Sequence, residues 1–88
     1  MAKKKVRFSF MAPSNAREVR LCGDFTDWDA HAIHMRGGKS GEWTAIASVE
    51  PGEHQYKFWA DGTWYTDPRA DGQIHNNFGT ENSVRYIS

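Results

Sequence analysis

Apolar and polar side chains alternate along most of this chain, and no stretch of useful length keeps a helical period. Val6, Phe8 and Phe10 alternate with Arg7 and Ser9, which predicts a half-buried first strand ending near Ala12-Pro13. After the turn cluster Ser14-Asn15-Ala16, Val19 and Leu21 alternate with Glu18, Arg20 and Cys22 in a second strand stopped by Gly23-Asp24. Phe25 to Ala32 has no clean period and reads as a loop carrying Phe25 and Trp28. Ile33 to Met35 is a short third strand, followed by a flexible connection from Gly37 to Gly41. Trp43, Ala45, Ala47 and Val49 then share one face of a fourth strand, closed by a Pro51-Gly52 turn.

The densest pattern lies in His54 to Pro68, HQYKFWADGTWYTDP, where two aromatic-rich runs flank Asp61-Gly62. Asp-Gly suits a two-residue hairpin turn, because both central residues need φ > 0. Alternation sends Tyr56, Phe58 and Ala60 to one face and Gln55, Lys57 and Trp59 to the other. Arg69 to Gly79 is polar and rich in turn formers, so it reads as a loop anchored by Ile74 and Phe78. Ser83 to Ile87 is the last strand. About seven antiparallel strands at this spacing predict an all-β chain folded as an immunoglobulin-like β-sandwich, lacking the disulfide of antibody domains. Its inner faces would hold Val6, Phe8, Phe10, Val19, Leu21, Ala45, Ala47, Tyr56, Phe58 and Val84.

Composition narrows the function. The 88 residues suit one domain, 1–88. Eleven Lys plus Arg balance eleven Asp plus Glu, so no net field draws nucleic acid or anionic lipid, and neither partner is expected. The run Lys3-Lys4-Lys5 reads as the solvated start of an edge strand. Cys22 is the only cysteine, which excludes an internal disulfide and favours a reducing, cytoplasmic setting; between Leu21 and Gly23 it reads as a small buried thiol. Met1 to Lys5 leads into alternating VRFSF, so no signal peptide is expected. Four tryptophans are more indoles than so short a chain can bury, and an outward Lys57 beside them suggests a platform for a flat, hydroxyl-bearing ligand.

With these residues in view, the chain resembles the glycogen-binding domains of carbohydrate-binding module family 48. Such domains occur in the β subunits of AMP-activated protein kinase and beside the catalytic domains of starch- and glycogen-branching or debranching enzymes. The likeness runs from Val6 to Ile87 and rests on an ordered series: GDFTDW, PGEHQYKF, DGTW, DP and GTENSV. It implies the same immunoglobulin-like sandwich and a carbohydrate site at Trp28, Lys57, Trp64, Asn82 and Thr80. Where kinase-subunit members carry an aliphatic finger, this chain has Phe78, a flatter and bulkier apolar contact. The Met35 to Trp43 connection also departs in length from the kinase-subunit pattern.

These residue types suit a sugar. Glucose has apolar C–H faces and a rim of hydroxyls, so an indole can cover one face while Lys57 and Asn82 bond the rim. Each ring face removed from water is worth ~1–2 kcal/mol at ~25 cal/mol per Å². Each hydroxyl bond adds on the order of 0.5–1.5 kcal/mol net, and it discriminates against sugars whose hydroxyls point elsewhere. Set against ordering costs, binding is expected at roughly micromolar to millimolar strength. The resemblance favours α-1,4-glucan oligosaccharides or glycogen as ligand, with a glycoside hydrolase, a transferase or a kinase as protein partner. Trp43, in phase with Ala45 and Ala47, reads as core. Trp59 shares Lys57's face but has no counterpart in the family's binding set, so packing and platform edge both stay open.

Other chemistries find little support. Asp24, Asp27, Asp29, Asp61, Asp67 and Asp71 all fall at turns or loops, where Asp bonds local backbone, and no pair faces across a cleft as glycoside hydrolysis requires. Asp24-x-x-Asp27-x-Asp29 lacks the glycine and distal glutamate of a calcium loop, and His31 and His34 lack a third ligand. Neither an enzyme nor a cofactor is expected. The competing expectation is a protein-interaction domain of the same fold that docks an enzyme or subunit.

Overall fold

The computed structural model describes residues 3–38 and 40–88; Met1, Ala2 and Lys39, and with them parts of the basic start and of the Gly37–Gly41 connection, lie outside the described residues. Among the described residues nine strands form: β1 (Lys4–Met11), β2 (Val19–Gly23), β3 (Ile33–His34), β4 (Arg36–Gly37), β5 (Glu42–Val49), β6 (Gly52–Ala60), β7 (Thr63–Tyr65), β8 (Gly72–His75) and β9 (Glu81–Ile87). They make two antiparallel sheets, one ordered β1-β5-β4 and the other β3-β2-β6-β9-β8, with β7 paired to β6. The immunoglobulin-like sandwich expected from the alternation is therefore present. Among the described residues no helix is long and apolar enough to cross a membrane.

The core is the set that alternation turned inward. Val6, Phe8 and Phe10 from β1 face Val19 and Leu21 from β2 and Tyr56, Phe58 and Ala60 from β6, all buried. Phe10 stacks on Phe58 with centroids 4.6 Å apart, and Phe8 meets Tyr56 edge-on at 5.0 Å, geometries that suit the ring quadrupoles. One polar tie crosses this layer. Tyr56 donates its hydroxyl to Asp67 Oδ2 at 2.7 Å, and Asp67 N–H donates to Ser83 Oγ at 2.7 Å. Trp43 packs partly buried against the core, as its phase predicted.

Four elements differ from the sequence reading. Ile33 to Met35 is not one strand. Ile33–His34 pairs with β2, Arg36–Gly37 pairs with β5, and buried Met35 is the pivot where the chain changes sheets, its N–H donating to Val19 C=O at 2.8 Å. Gly37 therefore belongs to a hairpin rather than to a flexible connection. The stretch Arg69 to Gly79 contains β8, organised by its register with β9 rather than by any period of its own. Its supposed anchors are exposed instead: Ile74 by 40% and Phe78 by 89%.

Val84 is the fourth correction. It is buried but pairs with Gln55, so it lies on the outward face of the larger sheet, and Ser83 takes the inward position opposite Tyr56. Two further contacts tie distant parts of the chain. Asp61 and Gly62 take the left-handed φ values of 48° and 94° that the Asp-Gly turn needs, and the Asp61 carboxylate accepts from Arg17 and Glu18 N–H, both at 2.9 Å. At the other end of the sandwich the Lys4 ammonium donates to the Ser88 carbonyl.

Candidate functional site

The outward face of the larger sheet carries the candidate residues. Register places Cys22 beside Lys57, and Trp59 beside Trp64. On β9, Asn82 is level with Ile74 of β8. Lys57 points outward as alternation required, yet it is only 9% exposed. Its stem is covered by neighbours while Nζ reaches two of them: the Trp64 ring, 5.9 Å to the centroid, and Thr80 Oγ1 at 3.4 Å. Trp64 itself is 42% exposed. An ammonium held beside a half-open indole face is a cation–π arrangement that also fixes the ring's outlook.

The β8–β9 connection supplies the other side. It runs Asn76-Asn77-Phe78-Gly79-Thr80 and closes with Asn76 N–H donating to Thr80 C=O at 2.9 Å; Gly79 provides the positive φ, 79°, that the turn requires. Asn76 Nδ2 donates to Thr80 Oγ1 at 2.8 Å and to Asn82 Oδ1 at 2.9 Å. Asn82, buried like Lys57, donates its own Nδ2 to Gln55 Oε1 at 3.2 Å. Lys57 thus contacts Trp64 and Thr80 directly, Asn76 links Thr80 to Asn82, and Phe78 is exposed in the connecting turn. Asn76 and Gln55 were missed at the sequence level. Asn76 sits in a turn-forming run and Gln55 in a strand, and neither carries a periodic or compositional signal that sets it apart.

Trp28 lies on a separate loop, the one that follows β2. The loop after β2 leaves the sheet at Gly23, where Asp24 N–H donates to Gln55 C=O at 3.0 Å. Asp29 then lies near Cys22 on the outward face, Oδ1 3.9 Å from Sγ, beside Lys57. The fold back is tight. A Cβ at Gly23 would stand 2.8 Å from the Gln55 carbonyl oxygen, so only glycine fits there. Asp27 and Trp28 both take left-handed φ, 52° and 53°, a conformation that costs L-residues on the order of 1–3 kcal/mol each. Buried Thr26 holds it: Oγ1 accepts from Gly23 N–H at 2.9 Å and lies within hydrogen-bond reach of the Trp28 carbonyl, also at 2.9 Å. Trp28 is half-buried and makes no hydrogen bond to the Lys57 cluster through its side chain among the described contacts. The Arg20 guanidinium stands 4.6 Å over the Trp59 ring, a packing contact on one of its faces.

The remaining polar groups are structural. Asp24 accepts from Gln55 N–H at 2.9 Å and from the His54 imidazole at 2.8 Å, while His54 Nε2 faces the Glu50 carbonyl at 2.7 Å. Burial opposes the charged imidazole, but these acceptors on both ring nitrogens outweigh it and raise the His54 pKa above its ordinary value. Asp71 accepts from Tyr86 N–H at 2.7 Å. Burial, with Asp29 nearby, pushes the Cys22 thiol up to about 11, so it stays protonated near neutrality. The His31–His34 pair is no ligand pair here; His34 Nε2 faces Glu18 at 3.3 Å. Among the described residues no three His, Cys, Asp or Glu side chains gather as a metal centre.

A sandwich that presents indoles, an ammonium group and amides on one open sheet face has the make-up of a non-catalytic carbohydrate-recognition module. Residues 6–88 match the family described as the glycogen recognition site of AMP-activated protein kinase, and the chain belongs to that family. It is 33% identical over 75 residues to the 5'-AMP-activated protein kinase subunit beta-1 of Bos taurus, covering 85% of this chain and 26% of that protein. To subunit beta-2 of Mus musculus it is 31% identical over 71 residues, 81% of this chain and 25% of the relative. The human subunit beta-1 matches at 32% over 75 residues, again 85% of this chain and 26% of the relative. The chain spans about a quarter of the length of the curated relatives it matches.

Proposed function

We propose that residues 1–88 form a single module that binds α-1,4-glucan, as glycogen, starch or maltooligosaccharide, at Trp28, Lys57, Trp64, Phe78, Thr80 and Asn82. The observation that carries this reading is the joining of Lys57, Trp64, Thr80 and Asn82 on one sheet face, in a chain whose family is a glycogen recognition site. The Trp64 and Phe78 rings offer apolar faces to sugar C–H groups, and the ammonium and amides offer bonds to hydroxyls. The strained Asp27-Trp28 pair supports a functional role for that loop, since strain of this kind persists where the surroundings over-determine it.

The module would serve to bring an enzyme to glucan, in a cytoplasmic setting that the single buried thiol suits. Because its relatives are kinase subunits and it spans a quarter of their length, a kinase is the first partner class to test, with glycoside hydrolases and transferases next. Those relatives also favour one second reading, a docking domain. Its surface would then be the outward face of the smaller sheet, where Met11 and Ile46 are exposed.

Intrinsic tryptophan fluorescence titrated with maltoheptaose or β-cyclodextrin, with cellohexaose as control, separates the two. The expected result is a saturable change with both α-glucans that disappears in Trp64→Ala while the far-ultraviolet spectrum is kept. An unresponsive native chain would remove the glucan reading and leave the docking one.

A further inference from the structure

Asn76 is bonded to its full capacity inside the protein. An Asn side chain has two N–H groups and two carbonyl lone pairs. Here Nδ2 donates to Thr80 Oγ1 and Asn82 Oδ1, and Oδ1 accepts from Phe78 N–H at 2.9 Å and Thr80 N–H at 3.2 Å. Nothing is left over for a ligand. Yet all four partner groups belong to three residues assigned above to the glucan site, Phe78, Thr80 and Asn82.

The count has a second consequence. Thr80 Oγ1 accepts from Asn76 Nδ2 and from Lys57 Nζ, so both lone pairs of the hydroxyl are taken and its O–H is the function that remains free. Asn82 is oriented in the same way. Its Oδ1 faces the Asn76 amide, its Nδ2 faces Gln55 Oε1, and one N–H of Nδ2 and one lone pair of Oδ1 are still unused. The relay from Asn76 through Asn82 to Gln55 therefore has a fixed polarity. With the Lys57 ammonium, its free ends make the site a donor surface, one that reads oxygen atoms of the sugar as acceptors.

We propose that Asn76 is the positioning residue of the site: it holds the Phe78 loop in its bound form and sets Thr80 and Asn82 as hydrogen-bond donors. This rests on the glucan reading given above. A loop fixed beforehand spares the ordering cost that a free five-residue turn would incur on binding. Phe78 needs that help most, since at 89% exposure its ring has little packing to hold it.

Two variants separate loop order from donor polarity. Asn76→Ala removes all four bonds. Asn76→Asp keeps acceptors for Phe78 and Thr80 N–H but has no N–H to give, so it turns an oxygen toward Asn82 Oδ1 and draws the Thr80 hydroxyl inward. Binding of maltoheptaose is measured by calorimetry, thermal unfolding by circular dichroism, and amide hydrogen exchange at Phe78 and Thr80 by NMR. Asn76→Ala is expected to raise Kd about tenfold, equivalent to ~1.4 kcal/mol, with faster exchange at both amides and an almost unmoved unfolding midpoint. Asn76→Asp is expected to keep slow exchange and still lose about tenfold in affinity, a combination that a merely structural role would not produce. Native affinity in Asn76→Ala overturns the positioning role; native affinity in Asn76→Asp overturns the donor assignment. If the native chain itself binds no glucan, the glucan reading fails and the ligand role of Asn76 with it, an outcome distinguished by all three proteins being alike.

Discussion

Both faces of β6 bury a side chain near the strand's centre, and for opposite reasons. Inward, Tyr56 and Phe58 are wholly buried and meet the rings of β1 across the sandwich. Outward, Lys57 is 9% exposed without a second sheet above it, covered by an indole, a threonine loop and neighbouring strands. The inner face is closed by shape and water exclusion. The outer face is closed by a polar mesh whose edges still have N–H groups and ring faces to offer. Burial by itself therefore does not separate framework from site in a molecule this thin; the identity of the covering groups does.

Substitutions can break that comparison at several strengths. Phe58→Ala on the inner face removes a fully buried ring stacked on Phe10 and is expected to cost ~3–5 kcal/mol in denaturant unfolding, enough to threaten the fold of a small domain. Tyr56→Phe keeps the ring and deletes only the hydroxyl bonded to Asp67. The loss should be about 1–3 kcal/mol, because Asp67 is left with an unanswered buried acceptor. Lys57→Ala on the outer face should move stability by less than ~1 kcal/mol while weakening maltoheptaose binding about tenfold, measured by the same calorimetric titration. A loss of stability from Lys57→Ala as large as from Phe58→Ala would collapse the distinction between the faces.

The smallest effect is a titration. The His54 imidazole has its pKa raised in the folded chain, so it stabilises the fold fully below the unfolded value of ~6.5, and the contribution disappears as pH rises through the higher folded value. The stability gap between the native chain and His54→Ala should therefore be widest in acid and narrow toward pH 8, read from chemical unfolding at several pH values. A gap that widens with pH would contradict the raised pKa that the Asp24 and Glu50 acceptors give the ring.

Where local pattern and tertiary outcome agree, the sequence was sufficient. The alternation of Val6, Phe8 and Phe10, the stripe on β6 and the Asp61-Gly62 turn each depend on neighbours a few residues away, and each is found as read. The failures share a cause. Val84 is apolar by type, but the side it takes is set by its register with Gln55, a residue 29 positions earlier by subtraction of their numbers. The short β4 and β8 exist only because longer strands stand beside them, so no period could mark them. Of the site, the residue types with their own chemical signature, indole and ammonium, were legible through the family series. Asn76 was not, because its role lies in four bonds to residues that turn geometry brings together.

The contact between the Lys4 ammonium and the Ser88 carbonyl brings the start of β1 and the finish of β9 to one corner of the sandwich. A polypeptide that enters and leaves through a single corner can be spliced into another protein's surface loop as a cassette, or have its ends fused and be reopened elsewhere, without unthreading either sheet. The Phe78 loop lies between β8 and β9, on the larger sheet, so such grafting would leave that loop and the candidate face intact and portable.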